Sequence, residues 1–498
     1  MNTALLLASF AHAQVEVEEF ALDNGMTFLL VPRTEQPNNV AAGWVAHVGS
    51  VNERPGITGI SHFFEHMMFK GTTTIGTRDP ERDAWFRSEQ ERVKSALDAL
   101  VNEVNYDRYR HGEITNPHDA SHDNAEMAAL RAELAKLMED HREVIVKNEM
   151  DALYSAEGGS DLNAFTSEDL TFYFTSVPSN KLELWAWLES DRLTDSVFRE
   201  FYSERDVVHE ERRLRVESTP TGVYDEQFEA MFWTSSPYSW PVIGWPSDLN
   251  SYTMAQARSY FETYYAPNNL TGVIVGDFDP ATVKPLLTEY FSRLKAGPPV
   301  PPVVTTEVPA LAEKRMNVEC DCPNSFQVAY HTAPAGHPDD PVLTVISSLL
   351  NGRTGRLYRN LVEGKEIATD ASARPDARRY AGAFYGTAQG REGVDPAKLE
   401  AAWHAQIDRL RTEPVGEAEL QKVKNQYAAD AYRRLQSNLW LMIQVGYNEH
   451  LDGWELLNDE PKKVQAVTTE DVQRVVQTYF TENNRAVGHY RRVEAGGN

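Results

Sequence analysis

The sequence predicts an α/β (α+β) protein of two homologous sheet-plus-helix domains arranged as a clamshell, with a helical hairpin inserted in the first. Two internal matches carry this prediction. Residues 263–269 (TYYAPNN) are matched by residues 478–484 (TYFTENN) at an offset of 215, and residues 43–47 (GWVAH) resemble residues 326–330 (FQVAY) at an offset of 283. Such self-similarity indicates a duplicated structural unit. A proline-rich stretch at residues 297–302 separates the halves and is typical of a stiff linker.

These landmarks divide the chain into four parts. We expect a signal-peptide remnant at residues 1–14, a first domain at 15–296, a linker at 297–309 and a second domain at 310–498. The first residues resemble the end of a secretory leader with an Ala-x-Ala cleavage site before Gln14, although the apolar stretch is short and has no basic start. This predicts a periplasmic or secreted protein. The alternative is the flexible N-terminus of a cytosolic protein.

Residues 62–66 read His-Phe-Phe-Glu-His and are the most informative stretch of the chain. In a helix, His62 and His66 lie one turn apart, so both imidazoles point the same way, with Glu65 beside them. H-x-x-E-H is the reverse of the zinc-peptidase motif H-E-x-x-H. The pattern predicts two zinc ligands and a general base. A chance occurrence is the alternative, so a third ligand is needed to decide.

The first domain is longer than the second by 68 residues, the difference between the offsets of 283 and 215. We place this surplus at residues 80–150, a charged stretch with two apolar seams at coiled-coil spacing and a turn at residues 112–117. The seams comprise Val93, Leu97, Leu100 and Val104, then Met127, Leu130, Leu134 and Leu137. They predict an antiparallel helical hairpin, either a solvated spacer or a docking arm or gate. We expect its excision to leave a folded, metal-binding protein.

Residues 203–213 are a second candidate for the site, because they are highly charged and have a helical spacing of acids. Glu204 and Glu211 are seven residues apart and would line one helix face two turns apart. A solvated charged helix is the plain alternative. Glu210 competes with Glu211, but it would project about 120° away from Glu204.

Together, the motif at residues 62–66 and Glu204-x6-Glu211 resemble the pitrilysin/insulinase family of zinc peptidases, in the branch of shorter two-domain subunits related to the mitochondrial processing peptidases. The resemblance extends from about residue 20 to residue 490. It implies one Zn²⁺ per chain, with Glu211 completing the site of His62 and His66 and with Glu204 supporting it from behind. Two histidines and a carboxylate leave zinc a position for water, and Glu65 would accept the proton of that water.

Residues 158–167 read as a glycine turn followed by a strand. The resemblance implies an edge strand beside the metal, where Asn163, Ala164 and Phe165 bind the substrate backbone by strand addition. An ordinary core position is as good an interpretation of Phe165, since a phenylalanine in a strand is usually buried.

The second half lacks this chemistry. An offset of 283 places Val345, Ser348 and Leu349 where the first half has the motif, so we expect a non-catalytic domain. The resemblance further implies an Arg and a Tyr, seven residues apart, that stabilise the oxyanion. The expected positions hold Val362 and Thr369. This predicts a heterodimer with a homologous subunit that supplies the pair; a homodimer is the alternative.

The resemblance implies a zinc-dependent endopeptidase that cleaves peptides or unfolded polypeptide segments in an enclosed chamber. A non-catalytic scaffold subunit and a maturation protease with one precursor are the alternatives. The net charge of −26 argues against a nucleic-acid partner, and no apolar run is long enough for a membrane span. Cys320 and Cys322 are only two residues apart, so we expect neither a good disulfide nor a metal site from them.

Overall fold

The structure, a computed structural model, describes residues 14–493 and contains two compact units, each built on one β-sheet. The first unit comprises Glu18–Arg212 and Pro241–Pro302. Within the described residues, the second comprises 14–17, 213–240 and 303–493. The predicted α/β fold with two sheet-plus-helix domains is confirmed. The predicted signal-peptide remnant lies outside the described residues, apart from Gln14.

The sheet of the first unit has six strands. They are β1 (Glu18–Ala21), β2 (Thr27–Pro32), β3 (Val40–Ala46), β4 (Ser160–Thr166), β5 (Thr171–Val177) and β6 (Leu270–Gly276). The order is β1-β2-β6-β3-β5-β4; β2 and β6 are parallel and the other neighbours antiparallel. Alternate β3 residues point into one core, because successive side chains of a strand face opposite sides. β4 lies at the edge of the sheet and pairs only with β5.

Local sequence signals account for several of the helices in the first 302 residues. These helices are α1 (Ile60–Met67), α2 (Pro80–Leu100), α3 (Tyr106–Arg110), α4 (Ala125–His141), α5 (Glu149–Ala156), α6 (Leu182–Thr194), α7 (Phe201–Arg212), α8 (Gly222–Phe232), α9 (Pro246–Ser251), α10 (Met254–Tyr264) and α11 (Pro280–Phe291). Asp79 accepts a hydrogen bond from the Arg82 amide and caps α2, which begins with Pro80. Thr253 and Gln256 form a capping box at α10.

Helices α2 and α4 form the predicted antiparallel hairpin. Asp83 contacts His141, and Arg92 contacts Glu133, so early residues of α2 meet late residues of α4. Both predicted seams supply buried residues, namely Val93, Leu97, Met127 and Leu134. The connection is longer than the predicted turn, since α3 and a loop occupy the residues between the two long helices.

The second unit has a five-stranded sheet. Its strands are β7 (Lys314–Cys320), β8 (Ser325–Thr332), β9 (Ala368–Ala377), β10 (Gly382–Gly390) and β11 (Arg485–Arg492), in the order β7-β11-β8-β10-β9. Its further helices are α12 (Asp340–Leu350), α13 (Pro396–Thr412), α14 (Glu417–Arg434), α15 (Asn438–Leu451), α16 (Leu456–Ala466) and α17 (Thr469–Tyr479). β7 and β11 are parallel, and the other neighbours are antiparallel. This repeats the pattern of β2, β6, β3, β5 and β4.

Equivalent hydrogen bonds support the internal repeat. The side-chain amide of Asn269 donates to the His47 carbonyl oxygen (3.4 Å), and that of Asn484 donates to the His331 carbonyl oxygen (2.8 Å). The two asparagines are 215 residues apart, as the sequence match predicts, and each follows a helix with a Thr capping box.

The strand offset of 283 is wrong by one residue. Ala46 pairs with Leu270 in the first sheet, and Tyr330 pairs with Arg485 in the second. Leu270 and Arg485 are 215 apart, whereas Ala46 and Tyr330 are 284 apart. A weak five-residue match did not fix the register, because both alignments place similar apolar residues together. The corrected offset places buried Ile346, Leu349 and Leu350 at the positions of the first-half motif.

Residues 213–240 pack with the second sheet, although the predicted first domain, 15–296, includes them. The Tyr490 hydroxyl donates to Asp225 (2.8 Å), and the Tyr385 hydroxyl donates to Glu229 of α8 (2.8 Å). Both tyrosines lie in strands of the second sheet. Side-chain contacts between positions far apart in the sequence, rather than a change in composition, determine where this segment packs.

Cys320 and Cys322, from which neither a metal site nor a good disulfide is expected, are joined by a disulfide. Their Cα atoms are 5.2 Å apart, within the usual range for a disulfide. The chain bends at Asp321, directly after β7, and this bend brings the two side chains together.

Candidate metal centre

Helix α1 is fixed at its N-terminus by the buried carboxyl group of Glu53. The two oxygens of Glu53 accept hydrogen bonds from the amides of Gly59 (2.7 Å) and Ser61 (2.8 Å), which would otherwise lack partners in the first turn. Gly59 has a positive φ of 87°, and a Cβ there would lie 2.6 Å from the Ile243 carbonyl oxygen. This position therefore requires glycine.

The apolar face of α1 is packed into the core of the first unit. Phe63 and Phe64 are completely buried, and the Phe63 ring meets the Phe201 ring of α7 edge to face at 4.9 Å. His62 and His66 are one turn apart on the same helix, and their ring centroids are 4.8 Å apart. The packing of the apolar face fixes the direction in which both rings point.

The structure brings His62, His66 and Glu211 together, with one potential ligand atom from each within 4.8 Å of the others. The Glu211 Oε2 lies 3.6 Å from His62 Nε2 and 3.4 Å from His66 Nε2. Ligands about 2.1 Å from a tetrahedral zinc ion are separated by about 3.4 Å. The geometry and the donor types therefore fit zinc. Glu210, the competing acid, is exposed.

Glu204 lies behind His66, on the side away from Glu211. Its Oε1 is 2.9 Å from His66 Nδ1, and its Oε2 is 2.5 Å from the Lys70 ammonium. Burial alone would raise the pKa of Glu204, but the hydrogen bonds and charges of His66 and Lys70 hold that pKa below its usual value. Lys70 was not recognised in the sequence, because α1 ends at Met67 and helical spacing does not extend to it.

The carboxylates around His66 also change its protonation. Burial lowers the pKa of the His66 imidazole, but the hydrogen bond and charge of Glu204 raise it. Glu211 and Glu65 add to this effect, so the pKa of His66 lies above its usual value. Glu204, Glu211 and Glu65 surround His66, while the Lys70 ammonium pairs with Glu204. This excess of negative charge suits a dication.

Glu65 is oriented by the edge strand. Its Oε2 accepts a hydrogen bond from the Thr166 hydroxyl, 2.6 Å away, at the end of β4. The sequence marked this strand but gave Thr166 no role, since the contact joins residues 101 positions apart. A cavity of about 470 Å³ adjoins the site, lined by Glu65, His66 and the chain after α4, residues 145–150.

The other residues predicted to bind substrate lie on the same strand. Asn163 is exposed on β4, and its side-chain oxygen accepts a hydrogen bond from the Ala164 amide (2.9 Å). Phe165 packs against the Phe172 and Phe174 rings, at centroid distances of 5.8 and 6.3 Å. The Phe165 side chain thus packs on its own sheet and is half-buried.

Among the described residues 14–493, only His62, His66 and Glu211 form a cluster of three potential metal-binding side chains, so the second unit has no equivalent there. Val362 lies in a helical turn before β9, and Thr369 lies in β9. Over the same residues, no helix is both long enough and apolar enough to cross a membrane.

Known proteins share both the fold and the sequence pattern. The family model described as "Insulinase (Peptidase family M16)" matches residues 29–82, and the model described as "Peptidase M16 inactive domain" matches residues 251–427. The zinc protease PqqE of Helicobacter pylori is 24% identical over 489 residues, which cover 96% of this chain and 94% of that protein.

Two solved structures are similar over nearly the whole chain. A protease from Helicobacter pylori superimposes with a TM-score of 0.78 at 22% identity, covering 96% of this chain and 99% of that one. The periplasmic protease PqqL from Escherichia coli gives a TM-score of 0.69 at 17% identity and covers 96% of this chain, but the match spans only 48% of PqqL. At these identities the likeness shows the fold.

The chain has a duplicated sheet-plus-helix domain, and the first copy carries an H-x-x-E-H helix. This motif is typical of the inverzincin class of peptidases. The chain is similar to the pitrilysin/insulinase family, peptidase family M16, through both family models and through relatives that span nearly its whole length.

Proposed function

We propose that this protein is a zinc-dependent endopeptidase that cleaves peptides or unfolded polypeptide segments. The observation that carries the proposal is the grouping of His62, His66 and Glu211 at separations that suit a tetrahedral zinc ion. In this proposal the three side chains hold one Zn²⁺ per chain and leave one position open. Glu204 fixes the ring orientation of His66 by accepting a hydrogen bond from its Nδ1–H.

Glu65 is the general base and acid of this proposal. Zinc, when bound, supplies Lewis-acid chemistry that makes water more acidic and polarises a carbonyl group. Glu65 accepts a proton from the attacking water and returns it to the leaving amine. The hydrogen bond from the Thr166 hydroxyl orients the Glu65 carboxylate for this proton transfer.

Strand β4 is the proposed substrate platform. It is the edge strand of its sheet and carries the Thr166 that contacts Glu65. An extended peptide that adds to this edge beside Asn163, Ala164 and Phe165 would pair through its backbone, and such binding tolerates many side chains. This suits a substrate class of peptides and unfolded segments.

The alternative is a non-catalytic scaffold subunit. Glu204 and His62 are buried, and burying acids and imidazoles together costs stability unless a cation compensates them. A scaffold has no need of this arrangement. The zinc peptidase is therefore the better-supported function.

Three glutamine substitutions test the proposal. Glu65→Gln should keep one zinc and reduce hydrolysis of a peptide library by about 10²–10⁴-fold, because only the proton carrier is lost. Glu211→Gln should lower the zinc content. Glu210→Gln is the matched control, since the same exchange is made one position along α7, and it should change neither quantity. Hydrolysis by Glu65→Gln within tenfold of the wild type, or resistance of wild-type hydrolysis to a chelator, would contradict the proposal.

A homologous partner subunit is part of the proposal. Val362 and Thr369 occupy the positions where an oxyanion-stabilising Arg and Tyr are expected from the family resemblance, and neither side chain can replace them. We infer a heterodimer in which a chain without H-x-x-E-H supplies the pair; a homodimer is the alternative assembly. Peptide hydrolysis by the purified chain should rise when that subunit is added. Full turnover alone, unchanged by the addition, would refute the heterodimer.

We further propose a periplasmic or secreted location. The Ala-rich first residues support it, as does the likeness to PqqL, which is described as periplasmic. The Cys320–Cys322 disulfide is also typical of an oxidising compartment. Fractionation of cells that express the full-length gene should place the protein outside the cytoplasm.

A further inference from the structure

The inserted hairpin contacts the helix that carries two of the site glutamates. Helix α7 presents Glu204 and Glu211 to the histidines, while Tyr202 lies about 160° around the helix from Glu204, at 100° per residue. The Tyr202 hydroxyl donates a hydrogen bond to Glu91 of α2, and the Lys94 ammonium lies 6.0 Å from the centre of the Tyr202 ring. One side of α7 therefore faces the site and the other faces the hairpin.

A second contact lies just before α7. Arg199 donates to both oxygens of Asp83 in α2, at 2.6 and 3.3 Å, and His141 of α4 is 2.9 Å from the same carboxylate. Asp83, Arg199 and His141 are each only 1% exposed. Both helices of the hairpin are thus joined to the start of α7 through one buried carboxylate.

The same arginine holds the chain that leaves α1. Its guanidinium donates to the carbonyl oxygens of Lys70 (2.6 Å), Thr72 (2.7 Å) and Ile75 (2.9 Å). Arg199 therefore connects the chain after α1, the start of α7 and the hairpin. A buried guanidinium with these partners cannot move without losing several charge-assisted hydrogen bonds.

The apolar core also joins the hairpin to α7. Val93 of α2 and Leu134 of α4 belong to the core of the first unit, together with Phe201, Tyr202 and Val208 of α7. A solvated spacer would not share a core with the helix beside it.

We propose that the hairpin is a brace that positions α7 for metal binding, with Asp83, Glu91 and Tyr202 as its positioning residues. This inference rests on the proposed zinc site and replaces the expectation that the hairpin can be excised without loss of metal. Two histidines on α1 and one glutamate on α7 form a zinc site only if the two helices keep their separation. The brace fixes α7 near its start and on its far side, so Glu211 stays 3.4–3.6 Å from the imidazoles.

The test compares Asp83→Asn and Tyr202→Phe with Glu133→Gln, which breaks an exposed Arg92–Glu133 pair within the hairpin. Zinc affinity is measured by competition with a chelator, and coordination geometry by the absorption spectrum of the cobalt-substituted protein. Asp83→Asn should weaken zinc binding by about tenfold or more, because the loss of contacts that support metal ligands has an effect of this size. It should also alter the cobalt spectrum. Glu133→Gln should stay within about twofold of the wild type.

Amide hydrogen exchange along α7 in the metal-free protein separates this inference from the zinc site itself. Faster exchange in α7 for Tyr202→Phe, but not for Glu133→Gln, supports the brace. This holds even if the wild type binds no zinc, although such a lack of zinc binding would refute the proposed function. Tyr202→Phe removes one hydroxyl only, so it decides the matter if Asp83→Asn does not fold. Zinc affinity, cobalt spectrum and α7 exchange all unchanged in Tyr202→Phe would overturn the brace.

Discussion

Replacement of Glu204 by glutamine should weaken zinc binding without removing any ligand. The carboxylate uses one oxygen for His66 Nδ1 (2.9 Å) and the other for the Lys70 ammonium (2.5 Å). A glutamine has one oxygen and one NH₂ group, so the NH₂ must face either the ammonium or the imidazole N–H. The orientation of His66 is then no longer held by a charge. Changes of this kind reduce metal affinity by about 10–100-fold, or about 1.4–2.7 kcal/mol.

The assay for this prediction is a zinc titration against a chelator of known affinity, at a temperature where circular dichroism shows both proteins folded. Glu200→Gln is the control, because its carboxylate lies 3.8 Å from Lys70 and does not contact His66. It should bind zinc within about twofold of the wild type. If Glu204→Gln also stays within this limit, Glu204 does not support the metal site, and the role assigned to it is wrong.

Three further substitutions have expected outcomes. Glu189→Ala should cost about 3–5 kcal/mol in urea unfolding, because it leaves the Arg192 charge buried at 1% exposure; a loss below about 1 kcal/mol would contradict this. Burial raises the pKa of Glu53 from 4.5 to about 8, so the folded state keeps a proton that the unfolded chain releases, and stability should fall as pH rises from 5 to 8. Glu53→Gln cannot titrate and should show a smaller fall in melting temperature; equal falls would count against the shift. Thr166→Val should slow turnover about tenfold at unchanged zinc content, because it removes the hydrogen bond to Glu65, and a loss of zinc instead would show a structural role.

The sequence predicted the parts of the site that depend on helical periodicity. Spacings of four and seven residues place side chains on one face of a helix whatever surrounds it, so they can be read without knowing the fold. The choice of Glu211 over Glu210 depended on the same geometry, and the structure brings Glu211, rather than the exposed Glu210, to the histidines. The two copies of the Tyr-x-x-x-Asn-Asn segment were likewise readable, because their match is local.

Contacts between distant positions could not be read in this way. Thr166 reaches Glu65 only because β4 ends beside α1, and Arg199 reaches Asp83 only because the hairpin folds back on α7. The sequence shows that both elements exist but not where they pack. Strand register failed for a related reason, since a shift of one residue exchanges similar apolar side chains in a short match.

The two copies of the domain show why the site in the first needs an explanation beyond stability. Where α1 has histidines and a glutamate, the offset of 284 places Ile346, Leu349 and Leu350 in α12, each buried at 1% exposure or less. The second copy therefore has apolar residues at these three positions, as ordinary folding favours. The first copy has three ionisable groups at the same place, His62 buried and Glu65 and His66 half-buried, and this burial has a cost in stability. Since the fold itself does not require them, their retention points to a chemical role for the first copy.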